Sequence, residues 1–396
     1  MSQASDVVIL SYARTPIGRF QGGLASFKAP ALGSIAIKEA MRRAALDPAQ
    51  VDEVIFGNVL QAGVGQNPAR QAARGAGIPD AIGSFTVNKV CGSGLKSVML
   101  AAQAIKAGDA DLVVAGGCES MTNAPYAIPK ARDGLRLGHG QLVDLMIADG
   151  LWDVYNDFHM GNTAELVAKT FEISRGMQDE FAAESHRRAA AAQTAGKFAR
   201  EMAVVEIKDK KGNVTKVDKD EGVRGDTTKE SLAKLRPAFD PAGTVTAANA
   251  SQISDGAAGV VVCSAKKAAE LGIKPLARIT GYATGGLAPE WVMMAPVEAV
   301  KKLWAKTGTS AKSFDLYELN EPFCAASIAV GRELGVDAAR TNIWGGATAL
   351  GHPIGASGAR ILCTLLAALE DTGGKSGIAG LCLGGGNAVA MSVERM

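Results

Sequence analysis

Short apolar runs alternate with alanine-rich segments of helical period through the first third of the chain, an alternation that predicts an α/β arrangement. Residues 7–11, 53–57 and 111–116 read as buried strands and residues 31–45 and 95–107 as helices. In the second helix Leu95, Val98, Met99, Ala102 and Ile105 fall on one face. The last third repeats this order. ARITG at 277–281 answers VVILS at 7–11, and FDLYELN ending at Asn320 answers VDEVIFGN ending at Asn58. GASGARILCTLLAALE answers CGSGLKSVMLAAQAIK, and GLCLGGGN answers VVAGGCES. The spacing agrees, with 33 residues from Asn58 to Cys91 and 32 from Asn320 to His352. Four segments recurring in order predict two halves of like architecture, packed face to face by their central helices.

Residues 123–250 do not follow the repeat. They hold His139, His159 and His186, an alanine-rich helix over 177–198 and a charged stretch over 208–234. KDKKGNVTKVDKDEG carries both signs of charge and reads as a solvated hairpin. The predicted division is therefore 1–122 plus 251–273 as the N-terminal half, 123–250 as an inserted loop domain, and 274–396 as the C-terminal half.

Composition narrows the function. Lys+Arg 42 against Asp+Glu 40 leaves a net charge of +2, which weighs against nucleic acid and acidic membrane surfaces as partners. The 5% aromatic content offers little for base stacking. Six cysteines (Cys91, Cys118, Cys263, Cys324, Cys363, Cys382) form no CxxC pair, so free thiols in a reducing compartment are expected, with neither zinc nor disulfides. No leader pattern opens the chain and no run reaches the roughly 20 apolar residues of a membrane span, so a soluble cytoplasmic protein is expected. Glycine is in excess, 47 of 396 residues or about 12% against a usual 7% or so.

Three glycine-rich segments carry the candidate chemistry. In NKVCGSGLKS, Cys91 follows a strand-like valine and precedes a helical pattern. A sharp turn there sets the sulfur at a helix N-terminus, where the dipole and free N–H groups favour the thiolate; a buried structural cysteine fits the same pattern. NIWGGATALGHPIGASGAR places His352 among five glycines, with the following proline holding it extended. In GLCLGGGNA, Cys382 precedes three glycines whose N–H groups suit an anion, although a plain turn after a core cysteine reads equally well. Two loop thiols and a loop histidine without a metal motif point to nucleophilic acyl chemistry.

Over its whole length the chain resembles the thiolases. The three segments match that family's signature blocks, and GGCESMTNAPY, FHMGNTAE, AKLRPAFDPAGTVTAANAS and ELNEPF match in the family's order. The resemblance implies duplicated α/β halves stacked as five layers (αβαβα) with an inserted loop domain. It implies Claisen chemistry on acyl-coenzyme A, with Cys91 as nucleophile, His352 as its base and Cys382 as the carbon base. One oxyanion hole would come from His352 and a water held by Asn320, another from the N–H groups of Cys91 and Gly384. Gly384 would then be a place where a side chain crowds the thioester oxygen.

Residue by residue, the resemblance puts Arg224 and Ser231 at the nucleotide end of coenzyme A and Ala247 and Ser251 at adenine and pantetheine. Leu151, His159, Met160, Phe239, Val292 and Phe323 fall on the pantetheine tunnel and acyl pocket. Acetyl-CoA, acetoacetyl-CoA and CoA are implied as substrates and products, with no cofactor and no metal. A homotetramer joined through a loop near 123–145 is also implied.

ESMTNAPY followed by LVDLMIADGLWDVYNDFHMG is similar to the short-chain branch, acetyl-CoA C-acetyltransferase, acting in fatty acid metabolism. The alternative is a 3-oxoacyl-CoA thiolase for longer or functionalised chains. The family's pattern is departed from at Pro322, Cys324, Ala248, Gln252, Val292, Met293, Ala295 and Asn387, positions that bear on acyl chain length.

Overall fold

The structure, a computed structural model, describes residues 6–396; the first five residues, assigned above to the N-terminal half, lie outside the described residues. Nine strands build the main sheet: β1 (Val7–Arg14), β2 (Glu53–Gly57), β3 (Gly83–Val87), β4 (Leu112–Ser120), β5 (Ser254–Ser264), β6 (Ala277–Gly286), β7 (Leu316–Leu319), β8 (Ser376–Leu383) and β9 (Asn387–Arg395). A two-residue strand, Gly18–Arg19, pairs with the start of β5. The main helices are α1 (Ala29–Arg43), α2 (Pro68–Gly75), α3 (Ser93–Ala107), α4 (Met160–Thr170), α5 (Arg175–Thr194), α6 (Ala295–Thr307), α7 (Cys324–Leu334) and α8 (Ile354–Thr372).

β1, β4 and β5 are buried along their whole length, as expected of strands covered on both faces. β1 runs to Arg14, beyond the apolar run, because that guanidinium is neutralised inside the protein. It lies 2.8 Å from Glu201 and 2.7 Å from Asp220, both fully buried side chains. Burying such a charge is tolerated only when it is paired and hydrogen-bonded.

The strand order is β7-β8-β9-β6-β1-β5-β4-β2-β3. Each half thus has its own mixed sheet, related by the repeat, and the two join edge to edge where Val8 pairs with Arg278 and Ile9 with Ala277. In the C-terminal half the counterpart of β3 shrinks to one bridge, Tyr317 to Thr341. Helices α1 and α2 cover one outer face, α6 and α7 the other, and α3 and α8 cross between the sheets, giving the five layers.

Glycines allow that central crossing. A Cβ at Gly94 would lie 2.8 Å from the Ala359 nitrogen, and one at Gly358 would lie 2.4 Å from the Leu95 nitrogen. Glycine is needed at both positions for this close approach.

In the middle segment the predicted helix 177–198 is observed as α5, capped by Ser174, followed by a separate turn at Lys197–Arg200. The charged stretch forms the predicted hairpin, Val205–Lys208 paired with Val214–Val217. Between residues 126 and 142 the apolar side chains of Tyr126, Ile128, Leu135, Leu137 and Leu142 are exposed. No helix among the described residues is long and apolar enough to cross a membrane.

Candidate active site

The turn between β3 and α3 holds Cys91. Val90 sits at φ +45°, a left-handed conformation rare for a β-branched residue, and so marks a strained position. Hydrogen bonds fasten it. Lys89 N donates to Ser93 Oγ at 2.8 Å, Ser93 Oγ donates to the Val90 carbonyl at 2.6 Å, and Val90 N donates to Asn88 Oδ1 at 3.0 Å.

Cys91 follows at the start of α3. The residue keeps an open edge, yet its sulfur is enclosed, and burial pushes the thiol up to about 12. The N–H groups of Gly384 and of Cys91 itself pull the other way. The expected thiolate is therefore corrected: burial outweighs the helix terminus, and the resting nucleophile is a thiol.

His352 is set from both sides of its ring. Its backbone N–H reaches the Gln252 carbonyl at 3.1 Å and Ser254 Oγ at 3.2 Å. Ser357 Oγ lies 2.6 Å from Nδ1 and donates its one proton to the Pro353 carbonyl at 2.9 Å. Nδ1 must therefore be the donor of that pair, which leaves the Nε2 lone pair as the base. Burial, and then the positive charge of Arg360, hold the imidazole down to about 3, so it is neutral at physiological pH.

Asn320 follows β7, with its N–H on the Gly380 carbonyl at 3.0 Å, and its Nδ2 lies 3.4 Å from His352 Nε2. Its buried Oδ1 has no hydrogen-bond partner within the protein. Ser357→Ala is expected to free the ring and its tautomer, lowering kcat about 10-fold with KM nearly constant, as steady-state kinetics would show.

Cys382, 5% exposed, lies near the end of β8. Burial raises its thiol, and the neighbouring Cys91 raises it further. Of the three glycines that follow, the demanding one is Gly386. It has φ +79°, and a Cβ there would lie 2.3 Å from the Leu287 carbonyl oxygen. A Cβ on Gly384 would instead meet the Val90 side chain at 3.2 Å.

The residues matched to coenzyme A contacts divide into groups. His159 stacks on Phe239 with ring centroids 4.7 Å apart, and Phe239 meets Phe323 edge-on at 6.0 Å. Both phenylalanines belong to the apolar cluster that includes Met160, Val292 and Cys382. Val292, at 1% exposure, is sealed into that cluster as core. Leu151 packs instead with Val90, Cys91 and Ile354. Ser251 donates its N–H to the Pro322 carbonyl at 2.9 Å, two residues from Asn320.

Arg224, Ser231 and Ala247 are exposed. Ser231 also closes the capping box of a one-turn helix with Thr228. His159 Nδ1 accepts from Gly161 N at 3.0 Å, and burial lowers its pKa. A cavity of about 960 Å³ opens between α5 and α7 and reaches Asn320 and Cys382. None of the ten matched contact residues lines it.

Several supporting residues carried no signal of their own. Ser357 and Arg360 stood inside GASGAR without a role. Gln252, seen as a departure, donates to the carbonyls of Gly222, Thr348 and Ala349 at 3.1 to 3.2 Å and so ties the middle segment to the His352 loop. Cys324 opens α7, its sulfur 3.6 Å from Thr348 Oγ1.

Comparison with known proteins places this geometry among relatives. Residues 7–266 match the family model for the thiolase N-terminal domain and residues 273–395 that for the thiolase C-terminal domain. An acetyl-CoA acetyltransferase of Cupriavidus necator is 55% identical over 391 residues, covering 99% of this chain and 100% of that protein. One of Pseudomonas aeruginosa is 53% identical, covering 98% and 99%. The crystal structure of the Bacillus anthracis acetyl-CoA acetyltransferase superposes with a TM-score of 0.96 at 41% identity, covering 99% of both chains.

Proposed function

The chain belongs to the thiolase family, and on that premise we propose that it is an acetyl-CoA C-acetyltransferase, condensing two acetyl-CoA reversibly to acetoacetyl-CoA and CoA. The observation that carries the mechanism is the neutral imidazole with its Nε2 unprotonated and facing Asn320, set in one site with two buried, protonated thiols.

Cys91 sulfur attacks the thioester carbonyl as its proton passes to His352 Nε2. The carbon–sulfur bond to coenzyme A breaks, and the leaving thiolate takes the proton of Cys382. Cys382, now a thiolate, removes a methyl proton from the second acetyl-CoA. The enolate carbon attacks the acetyl group, the bond to Cys91 sulfur breaks, and that sulfur recovers its proton from His352. The raised affinity of Cys382 for its proton suits both halves of this cycle: it holds a proton to give, and it is a strong base once the proton is gone. Fixed donors to the two oxyanions, His352 with a water on Asn320 and the N–H groups of Cys91 and Gly384, contribute about 3 to 4 kcal/mol each.

Coenzyme A thioesters are substrates, and no cofactor enters the cycle. Arg224 and Ser231 meet the nucleotide end, and Ala247, Ser251, Leu151, His159, Met160, Phe239 and Phe323 border the rest, with Val292 backing them as core. The exposed Leu135, Leu137 and Leu142 support a homotetramer built through the 123–145 loop, since clustered apolar exposure of this kind marks interfaces. A cytoplasmic setting fits the six free cysteines, and a role in fatty acid metabolism would follow from acetyl-CoA and acetoacetyl-CoA as substrates.

Mass spectrometry after mixing with acetyl-CoA is expected to show one acetyl group, on Cys91; an unmodified Cys91 would sink the activity. The cavity reaching Cys382 favours a second reading, cleavage of longer 3-oxoacyl-CoA. We expect acetoacetyl-CoA to be cleaved faster than 3-oxohexanoyl-CoA, and the reverse order would replace the first reading by the second.

A further inference from the structure

The internal repeat makes VVAGGCES the counterpart of GLCLGGGN and Asn58 the counterpart of Asn320. The two places have diverged. Where the C-terminal half has its glycine loop beside Cys382, the N-terminal half has Glu119, fully buried near the end of β4. Four N–H groups converge on its carboxylate. Asn58 Nδ2 donates to Oε1 at 2.8 Å and Leu60 N at 3.2 Å. Val59 N donates to Oε2 at 3.1 Å and Gly355 N at 2.9 Å.

The last of these spans 236 residues and crosses from one half to the other. Gly355 lies in the first turn of α8, three residues after His352, and the N-cap of that helix, Pro353, offers no side-chain acceptor. Glu119 supplies the missing acceptor at a helix N-terminus, where negative charge is favoured. The fit is close: a Cβ at Gly355 would lie 2.7 Å from both Glu119 Oε2 and the Cys118 carbonyl oxygen.

We propose that Glu119 is a positioning residue for the reaction: it clamps the His352 loop of one half to the Asn58–Leu60 turn of the other and so holds Nε2 toward Cys91. The first-half counterpart of the Cys382 loop thereby fastens the His352 loop of the second half. The inference rests on the thiolase reading for the reaction but on geometry alone for the clamp. Each oxygen receives two donors, so an amide at this position must turn its NH2 group against two N–H groups. Burial raises the Glu119 carboxyl to about 7, against its four donors. The ionisable groups that face it are Asp255 on β5 and Cys91 before α3, with the Cys118 thiol next to it on β4.

The test is Glu119→Gln, with Glu119→Asp as the variant that keeps the charge but retreats by one methylene. Expected for Glu119→Gln is a fall in kcat of about 10- to 100-fold, as small misplacements of a base produce, with KM changed less than about 3-fold. A full complement of alkylatable Cys91 is expected to remain. The wild type is expected to lose kcat as pH falls through about 7, an inflection that Glu119→Gln lacks. Alkylation of Cys91 by iodoacetamide, which uses the imidazole but no thioester, is expected to slow by a similar factor. That readout separates failure of the clamp from failure of the assigned activity, which wild-type acetylation tests. Should Glu119→Gln not fold, Glu119→Asp is expected to show the same split more weakly. Wild-type kcat and alkylation rate in a folded variant would overturn the proposal. So would a loss of kcat matched by an equal loss of titratable Cys91, the mark of a merely structural role.

Discussion

His352→Asn is expected to stop both half-reactions. Its Nε2 is the base that frees Cys91 and also a donor to the enolate oxygen, so two contributions vanish together. General-base catalysis gives about 10²- to 10⁴-fold, and one oxyanion donor about 10²- to 10³-fold. Rapid-mix acetylation with acetyl-CoA is expected to drop at least 10²-fold and steady-state condensation by about 10⁴-fold or more. Burial and the Arg360 charge depress the imidazole from its ordinary 6.5 to about 3, so it does not gain a proton between pH 7 and 5. In Glu119→Gln, where the carboxyl inflection near 7 is removed, acetylation should therefore show no loss with an apparent pKa near 6.5; a clear inflection remaining there would mean that the ring is exposed to water and that its assigned environment is wrong.

Cys382→Ser should separate the halves of the cycle. The first thioester exchange needs Cys91 and His352, and the coenzyme A thiolate can leave without a proton from residue 382, where a hydroxyl still offers it a hydrogen bond. Removing a proton from a methyl carbon is the harder task, and an alcohol is too weakly acidic to serve as its conjugate base at neutral pH. Acetyl-enzyme is expected to accumulate while acetoacetyl-CoA formation falls about 10²- to 10⁴-fold. Loss of acetylation in this variant would show the two thiols to be assigned the wrong way round.

Where the hydrophobic pattern was clean, the chain was readable before its structure was known. Residues 53–57 are β2 as read, because EVIFG is a short apolar run between the exposed Asp52 and the polar Asn58. β3 went unread, since GSFTV is a half-exposed edge strand with little apolar signal. β5 was masked at its start, where Ser254 and Asp255 are buried polar residues in a strand.

The same physics divides the site. Cys91, His352 and Cys382 announced themselves through glycine-rich surroundings, which mark close backbone approach. Whether those thiols are charged depended on burial created by distant segments, which at Cys91 outweighs the downward pull of the N–H groups. Glu119 meets Gly355 across 236 residues of sequence, a contact that only the folded chain creates, whereas Ser357 lies one helical turn beyond His352. Gln252 differs from the family's glycine for a reason visible only in three dimensions: its side chain reaches three carbonyls of two other segments.

The seam between the halves, two paired residues long at Val8–Ile9 and Ala277–Arg278, has a bearing on how the catalytic side chains are carried. Because the ladder continues from β7 to β3 and two helices are held together by glycine contacts behind it, Cys91 of one half and His352 and Cys382 of the other are carried by one continuous frame. No strand of the 123–250 segment joins that frame, so the stretch that sets the catalytic side chains and the stretch laid over them are built separately within one chain.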